Sequence, residues 1–313
     1  MRAIQISRYG DPDVLEAVQV PPPEPQQGEV LITVEFVEVL FLDTQLRTGW
    51  GEDFFPMRPP FVPGTGVAGR ITLVGEGVAA ERIGERVVAR TGNAGGYAER
   101  VTVSADEATR VPDRLDLGVA TAALHDGVLA LDRLEWAGVG AGTRVLVTAA
   151  AGSLGHWFVP LAKAAGATVT GAAGGEAKVA TVWGLGADIA VDYREPGWDS
   201  NAGGPFDVVF DGVGGSIGST AFQLTVDGGK FAGHGAASGE SASVQASRDI
   251  STIGPETGLD AVNWRRLTER GLELLADGSV QPRIGQRVPL ERAAEAHAAI
   301  AGRSIIGKTL LTV

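Results

Sequence analysis

The first 121 residues are dominated by short stretches in which apolar and polar side chains alternate. Glu29-Val-Leu-Ile-Thr-Val-Glu35 is the clearest of them. An alternation with a period of two is typical of a strand that has one face on a core. Turn residues separate these stretches, so the pattern predicts a compact, β-rich barrel over residues 1–121.

From Leu115 onward the pattern becomes helical and then alternates between buried strands and amphipathic helices. Such alternation is typical of βα units that form a doubly wound parallel sheet, here with strands around Val145, Val169, Ile189, Val208 and Phe231. Beyond residue 263 it predicts helices at Trp264–Ala276 and Leu290–Ala301 and a closing strand at 308–313 that returns to the first domain. The predicted fold class is α/β, with boundaries at 1–121, 122–263 and 264–313.

The stretch from Arg144 to Gly155 joins an apolar strand to a turn of small residues that opens a helix. Its spacing is Ala150-x-Gly152-x-x-Gly155, with alanine in the place of the usual first glycine. Glycines there let backbone amides approach a pyrophosphate at a helix N-terminus. A second strand, Ala167–Gly171, follows at the distance that a β-α-β unit requires. The segment predicts a dinucleotide site.

The end of that second strand indicates which nicotinamide cofactor is preferred. An NAD site places Asp or Glu about 20 residues past the glycines, whereas this strand ends in Ala172-Ala-Gly-Gly175 with Lys178 close behind. Glycine amides and a lysine suit a 2′-phosphate that an acid would repel. The alternative is that Lys178 is a solvated helix residue. The missing acid favours NADPH.

Composition restricts the partners. Lys and Arg number 26 against 38 Asp and Glu, a net charge of −12, which disfavours nucleic acid and anionic membranes as partners. The chain has no cysteine, so disulfides and thiolate zinc sites are excluded. We expect a cytoplasmic protein, because no signal-like or membrane-spanning apolar run is present.

Several short motifs, in their order and spacing, resemble the medium-chain dehydrogenase/reductase superfamily and its zinc-free quinone oxidoreductase branch, the relatives of zeta-crystallin. The resemblance covers essentially the whole chain. It implies a GroES-like catalytic domain over 1–121, a Rossmann cofactor-binding domain over 122–263 and a segment over 264–313 that completes the catalytic domain. The motifs are Arg47-Thr-Gly49, Pro60–Gly64, Gly75–Val78, Gly84–Val87, Gly95–Glu99, Ala150–Gly155, Ala293–His297, Gly302-Arg303 and Gly307-Lys308.

The resemblance also implies cofactor contacts. The pyrophosphate would lie on Gly152, Ser153, Leu154 and Gly155, and the 2′-phosphate near Gly174, Lys178 and Tyr193. Gly233 and Gly235 would pass near the nicotinamide ribose, and Arg303 would reach the cofactor. For Arg303 the alternative is an arginine that satisfies a helix C-terminus.

Alcohol dehydrogenases of the superfamily hold a catalytic zinc, and the position of their liganding histidine falls within Gly64–Gly69, where nothing can bind metal. We therefore expect a zinc-independent enzyme with no metal site. Without a Lewis acid to stabilise an alkoxide, an electron-poor acceptor such as a quinone or an enone suits better than an alcohol.

Two departures from the family pattern concern the expected reaction centre. A family asparagine that faces the nicotinamide is replaced by Leu40, and a family threonine by Leu129. Pro160, inside a helix predicted over Leu154–Ala165, implies a kink or a late helix start. These departures suggest a specialised pocket.

An enone or quinone that receives a hydride must also gain a proton. The candidate donors are His125, Asp126 and Asp43, of which histidine has a suitable titration range near neutrality. The alternatives remain that Asp126 caps the helix, that His125 is structural, and that solvent is the donor.

Trp50, Phe54 and Phe55 belong to a segment rich in glycine, proline and aromatic residues. It could cover an aromatic or conjugated substrate, form a small satellite core, or make a subunit contact. The sequence thus predicts an NADPH-dependent reductase of a quinone or α,β-unsaturated carbonyl compound that forms a homodimer. The alternative is a nucleotide-binding sensor or cyclase that has lost hydride transfer.

Overall fold

The computed structural model describes residues 1–52, 55, 57–245, 247–254 and 258–313, and it divides into two compact units. The first unit contains Met1–His125, Thr268–Gly278 and Pro282–Val313. The second unit contains Asp126–Leu267 and Ser279–Gln281.

The described strands, numbered along the chain, are β1 Arg2–Ile6, β2 Leu15–Gln19, β3 Glu29–Val39, β4 Gly66–Val74, β5 Arg86–Arg90, β6 Arg100–Ser104, β7 Ala108–Arg110, β8 Arg144–Thr148, β9 Thr168–Ala173, β10 Ile189–Asp192, β11 Phe206–Asp211, β12 Thr225–Gly233, β13 Ser251–Ile253, β14 Ile284–Pro289 and β15 Lys308–Thr312. The helices are α1 Phe41–Arg47, α2 Leu117–Ala120, α3 His125–Ala137, α4 Gly155–Ala164, α5 Glu176–Gly184, α6 Trp198–Asn201, α7 Gly215–Gln223, α8 Ala261–Ala276 and α9 Ala293–Ala301.

The first unit is built on a sheet with the strand order β14-β15-β3-β4-β5-β7, and β6 also pairs with β3. Its central strand is β3, which the alternation of apolar residues predicted, although β3 continues four residues further, to Val39. Side chains of β3, β4, β5 and β6 form one core, which includes Ile32, Val37, Val67 and Val87. The late strand β15 pairs antiparallel with β3.

The second unit is a sheet of parallel strands in the order β10-β9-β8-β11-β12-β13. This is the doubly wound order in which the chain reverses direction across the sheet between β8 and β11. The predicted α/β fold class is therefore confirmed. A core of Leu146, Val209, Phe222 and Phe231 lies on one face, and Phe158 stacks on Phe210 at 4.3 Å between ring centroids.

Three helix predictions need correction. The helix predicted over Leu290–Ala301 is a 3₁₀ turn at Leu290–Arg292, and its α-helical part begins only at Ala293. The helix predicted from Trp264 begins three residues earlier, because Asp260 is its cap: the Asp260 carboxylate accepts the Asn263 N–H at 2.8 Å. Helix α4 begins at Gly155 with Pro160 inside it, so the late start is wrong. Within the described residues, no helix is both long and apolar enough to cross a membrane.

Candidate functional site

The turn between β8 and α4 lies at the carboxyl edge of the parallel sheet and is tightly packed against itself. A Cβ on Gly155 would lie 2.0 Å from the Ala150 carbonyl oxygen, so only glycine fits at this position. Ala149 adopts a positive φ of 51°, which non-glycine residues rarely do. The sequence folds this way because small residues allow the chain to reverse immediately after a buried strand.

The amides of this turn are not equivalent. The Gly152 N–H donates to the Ala149 carbonyl oxygen at 2.8 Å within the turn. Within the described part of the chain, no backbone bond engages the N–H groups of Ser153, Leu154 or Gly155. These three amides are at the N-terminus of α4, where an anion is favoured by the helix dipole.

The neighbouring strand β11 ends beside this turn. Asp211 is buried there and accepts the Thr148 hydroxyl at 2.5 Å, while the Gly212 N–H donates to the Thr148 oxygen. Burial raises the pKa of Asp211, and the hydrogen bonds that its carboxylate accepts from Thr148, Val213 and Gly214 oppose that rise. The pair ties β8 to β11 at the point where the strand order reverses, which is where ligands of such sheets bind.

The loop after β12 packs against the loop after β11. The His234 N–H donates to the Asp211 carbonyl oxygen at 2.8 Å, and a Cβ on Gly235 would lie 2.8 Å from the Gly212 carbonyl oxygen. Burial lowers the pKa of His234 to about 4, so its ring is neutral. Gly233 and Gly235 are thus placed at the same sheet edge as the glycine turn.

Asp126, a predicted proton donor, is bonded to that turn instead. The Ser153 hydroxyl donates to the Asp126 carboxylate at 3.0 Å. This contact joins the N-terminal end of α3 to the glycine turn, within the second unit, and it indicates a role for Asp126 in positioning Ser153.

The residues predicted around a 2′-phosphate are brought together at the ends of β9 and β10. A Cβ on Gly174 would lie 2.9 Å from the Tyr193 ring, so the ring packs on the bare glycine backbone. The Tyr193 N–H donates to the Ala173 carbonyl oxygen. Lys178 is in the first turn of α5, which starts at Glu176.

Two charged residues of this region were missed by the sequence reasoning. Asp192, at the end of β10, accepts the Gly175 N–H at 2.9 Å and pairs with Arg194. The Arg194 guanidinium and the backbone N–H groups of Arg194 and Gly175 hold the pKa of Asp192 at about 2. A Cβ on Gly175 would lie 2.6 Å from the Arg194 guanidinium. Lys178 and Arg194 are thus the two cations of this region, and the acids Glu176, Asp192 and Glu195 lie beside them in sequence.

Arg303 belongs to the first unit. It follows α9, has a positive φ of 54°, and its N–H donates to the Ile300 carbonyl oxygen at the end of the helix. Its side chain is exposed.

A second group of polar residues is buried in the first unit around Glu38, at the end of β3. The Glu38 carboxylate is fully buried and accepts the Lys308 ammonium at 2.6 Å on one oxygen. The other oxygen faces Nδ1 of His125 in a short contact. Burial raises the pKa of Glu38, but Lys308 and His125 outweigh that effect and hold it at about 2.

Asp43 is buried beside this group, in the first turn of α1. Its carboxylate accepts the Leu40 N–H at 2.8 Å and the Tyr97 hydroxyl at 3.3 Å, and that hydroxyl lies 2.9 Å from His297 Nε2. Burial raises the pKa of Asp43 to about 6, and the nearby Glu38 charge adds to the shift. Asp43 is sealed from solvent at 1% exposure.

The predicted substrate-pocket residues are divided between the two units. Leu40 caps α1 in the first unit, and Leu129 is on α3 in the second. Trp50 and Phe55 lie 6.5 Å apart and line a cleft with Tyr9, Leu46 and Phe61 that encloses about 10 Å³, the room of one water molecule. Phe54 lies outside the described residues.

The segment where a zinc-liganding histidine would stand contains Thr65 and Gly66. A Cβ on Gly66 would lie 2.0 Å from a Glu38 carboxylate oxygen, so the glycine leaves the space that this carboxylate fills. Among the described residues, no group of three or more His, Asp or Glu side chains could hold a metal ion.

Glu38 was not among the predicted site residues, although one feature of the sequence indicates that it has a buried partner. Glu38 is the one charged residue in the run Phe36–Leu42, and an acid in such a run needs a buried partner. No local pattern points to Lys308 as that partner, 270 positions away.

Two parts of the chain match known protein families. Residues 26–113 match the alcohol dehydrogenase GroES-like domain, and residues 185–311 match the family described as zinc-binding dehydrogenase.

Curated relatives extend the match to the whole chain. A 2-haloacrylate reductase of a Burkholderia species is 31% identical over 99% of this chain and 98% of its own length. The rat quinone oxidoreductase is 32% identical over 95% of this chain and 93% of its own length. With the chloroplast envelope quinone oxidoreductase homolog of Arabidopsis thaliana the match is 36% identical but spans only 63% of this chain and 62% of that protein.

Solved structures agree with the fold over its full length. The Escherichia coli quinone oxidoreductase complexed with NADPH has a TM-score of 0.92 at 25% identity, covering 100% of both chains. A mycobacterial protein complexed with NADPH has a TM-score of 0.90 at 30% identity, again over 100% of both chains.

Proposed function

This chain belongs to the quinone oxidoreductase branch of the medium-chain dehydrogenase/reductase superfamily, and we propose that it is an NADPH-dependent, zinc-independent reductase of quinones or α,β-unsaturated carbonyl compounds. The observation that carries the proposal is the glycine turn at the switch point of the parallel sheet, with cations at the end of the next strand. Relatives in this family are named as quinone oxidoreductases and as a 2-haloacrylate reductase, whose name describes reduction of an activated double bond.

The second unit fits the phosphates of NADPH. The amides of Ser153, Leu154 and Gly155 would take the pyrophosphate, with Gly152 allowing its close approach. Lys178 and Arg194 would hold the 2′-phosphate beside Gly174 and Tyr193. Gly233 and Gly235 would pass the nicotinamide ribose, and Arg303 is assigned to the cofactor by the family pattern.

The bound cofactor supplies a hydride, and the chain supplies orientation and a proton. Of the three predicted donors, Asp43 is sealed and Asp126 is bonded to Ser153, whereas the His125 side chain is 21% exposed. We assign proton donation to His125. We propose that Leu40, Trp50 and Phe55 of the first unit contact a conjugated acceptor, and that the protein is a homodimer located in the cytoplasm.

The cofactor assignment is tested by titrating the protein with NADPH and NADH in a calorimeter. Lys178→Ala and Arg194→Ala are each expected to weaken NADPH binding by about 10- to 100-fold, because each removes one charge-assisted bond to the 2′-phosphate, and to leave NADH binding unchanged. Lys163→Ala is the control, since Lys163 is at the other end of α4 and pairs with Asp188. Equal losses for both cofactors would contradict a 2′-phosphate site.

The reaction is tested by following NADPH absorbance with a panel of quinones and enones. Turnover is expected without added metal and after treatment with a chelator. Tight NADPH binding with no turnover across a broad panel would instead favour a nucleotide-binding sensor or cyclase, which the apolar Leu40 and Leu129 allow.

A further inference from the structure

We propose that Glu38 and Lys308 form a buried positioning pair that fixes the ring of His125, so that Nε2 is the nitrogen that delivers the proton to the reduced acceptor. The inference rests on the proposed function and adds to it two residues, an atom and a proton route. Its basis is the arrangement of these three side chains, which belong to β3, to β15 and to the first residue of α3, all three residues lying in the first unit.

The two carboxylate oxygens of Glu38 have different roles. Glu38 is completely buried, and each of its oxygens has its own partner, Lys308 on Oε2 and His125 Nδ1 on Oε1. An ionised carboxylate only accepts hydrogen bonds. Nδ1 of His125 must therefore carry a hydrogen in both protonation states of the ring.

The fixed hydrogen on Nδ1 determines which ring nitrogen of His125 exchanges a proton. With Nδ1 committed, proton exchange by the imidazole takes place at Nε2 alone, as in carboxylate-histidine pairs of catalytic sites. The histidine side chain is 21% exposed, whereas Glu38 and Lys308 are sealed at 0% and 1%. The ring is thus the one member of the group through which a proton can leave.

Lys308 balances the charge of the buried carboxylate. A buried carboxylate without a cation would bind the imidazolium so strongly that the ring would hold its proton. The Lys308 ammonium offsets the Glu38 charge, and the pair together is neutral. Lys308 is held in place because it pairs with Ile284 of β14 and the next four residues of β15 pair with β3, where Leu310 faces Glu38.

The proposed step balances as follows. The acceptor gains two electrons and a hydrogen as hydride at its electrophilic carbon or quinone oxygen, and NADPH is oxidised to NADP⁺. The N–H bond at His125 Nε2 breaks, and its proton forms the new C–H or O–H bond on the resulting enolate or hydroquinone anion. The neutral imidazole then regains a proton from water.

Kinetics of variants test the role of His125. His125→Ala is expected to lower kcat by about 100-fold or more, the usual contribution of a general acid, with the NADPH dissociation constant unchanged. Imidazole added to the solvent should restore part of the lost rate. Glu35→Gln is the matched control, because Glu35 is on the same strand and pairs with Arg70 at the surface. A wild-type kcat in His125→Ala would overturn the proposal.

The positioning role is tested by ¹⁵N NMR of the histidine rings, with His125 assigned from the spectrum of His125→Ala. The wild-type protein should show Nδ1 protonated when the ring is neutral. The double variant Glu38→Met/Lys308→Met removes the pair without leaving a buried charge. We expect a mixture of tautomers and about a tenfold lower kcat at an unchanged KM. Identical ring signals and rates in the double variant would overturn the inference.

The two proposals fail in different ways. Absence of turnover by the wild-type protein would overturn the proposed function and with it the catalytic role of His125. Turnover that is indifferent to His125 would overturn this inference and leave the reductase assignment intact.

Discussion

At the scale of single residues, the first unit contains an unusual amount of buried charge. Glu38 and Lys308 are an ion pair with almost no solvent contact, and Asp43 is a carboxyl group whose burial outweighs the attraction of the nearby Lys308 ammonium. Pairing stabilises the charged form of Glu38, and burial destabilises that of Asp43. The two acids should respond in opposite ways to substitution and to pH.

Lys308→Met is expected to destabilise the protein by up to about 3–5 kcal/mol, because it removes the ammonium from the buried Glu38 carboxylate and leaves it only the contact with the His125 ring. Arg70→Ala removes an exposed pair with Glu35 on the same sheet and should cost no more than about 1 kcal/mol. Urea denaturation of both variants measures the difference. A Lys308→Met protein as stable as the Arg70→Ala protein would contradict a charged, sealed pair.

The effect of the Asp43→Asn substitution on stability, relative to the wild type, should become more favourable as the pH rises. The pKa of Asp43 is raised from 3.8 to about 6 in the folded state. The contribution of the protonated carboxyl to the stability of the folded state is therefore complete below pH 3.8, and it is lost as the pH rises through about 6. A shift of that size corresponds to about 3 kcal/mol, and the amide does not ionise. The stability of the variant relative to the wild type should therefore rise by about that amount between pH 4 and pH 8.

Urea titrations across this pH range provide the measurement. The exposed Asp113→Asn variant controls for the loss of one negative charge. A constant difference between the Asp43→Asn variant and the wild type at every pH would show that the carboxyl is not perturbed by burial.

At the scale of elements, the sequence predicted the βα order because strands buried on both faces and turns of small residues leave clear local patterns. For that reason the sequence predicted that the glycine turn and the end of β9 are parts of a dinucleotide site. Short-range patterns contain no information about which distant side chain meets a buried one. Lys308 reaches Glu38 through strand pairing, and Arg194 reaches Gly175 through the loop after β10, so neither contact could be predicted.

Gly155→Ala is expected to abolish NADPH binding at concentrations where the wild type is saturated. Its Cβ would lie 2.0 Å from the Ala150 carbonyl oxygen, and both atoms belong to a backbone that cannot yield without moving the amides at the start of α4. Gly140→Ala, at a position with open space around the new Cβ, should bind normally. Calorimetry of the two variants distinguishes them, and equal affinities would contradict a phosphate site on this turn.

At the scale of the whole molecule, β13 is one of the two edge strands of the parallel sheet among the described strands, β10 being the other, and Ser251 and Thr252 are exposed on β13. An exposed edge carries unpaired backbone groups that can pair with a second chain. We predict that the homodimer forms through this edge of the second unit.

Sedimentation velocity should therefore show a particle of twice the mass of the chain. Thr252→Lys is expected to shift it to the monomer, because a charge on an edge strand opposes pairing across a two-fold axis. Thr72→Lys places the same charge on an exposed strand position of the first unit and should leave the dimer intact. A wild-type monomer, or a dimer indifferent to Thr252→Lys, would contradict pairing through this edge.

The separation of Glu38 from Lys308 by 270 positions has a consequence for synthesis on the ribosome. At roughly 5–20 residues per second, the carboxylate waits about 15 to 55 seconds for its ammonium. Until then it must stay hydrated, so the strand that carries it cannot be sealed into its sheet. Nearly all of the nucleotide-binding unit emerges during that interval, and the nascent chain would therefore complete its inserted domain before the domain that surrounds it in sequence.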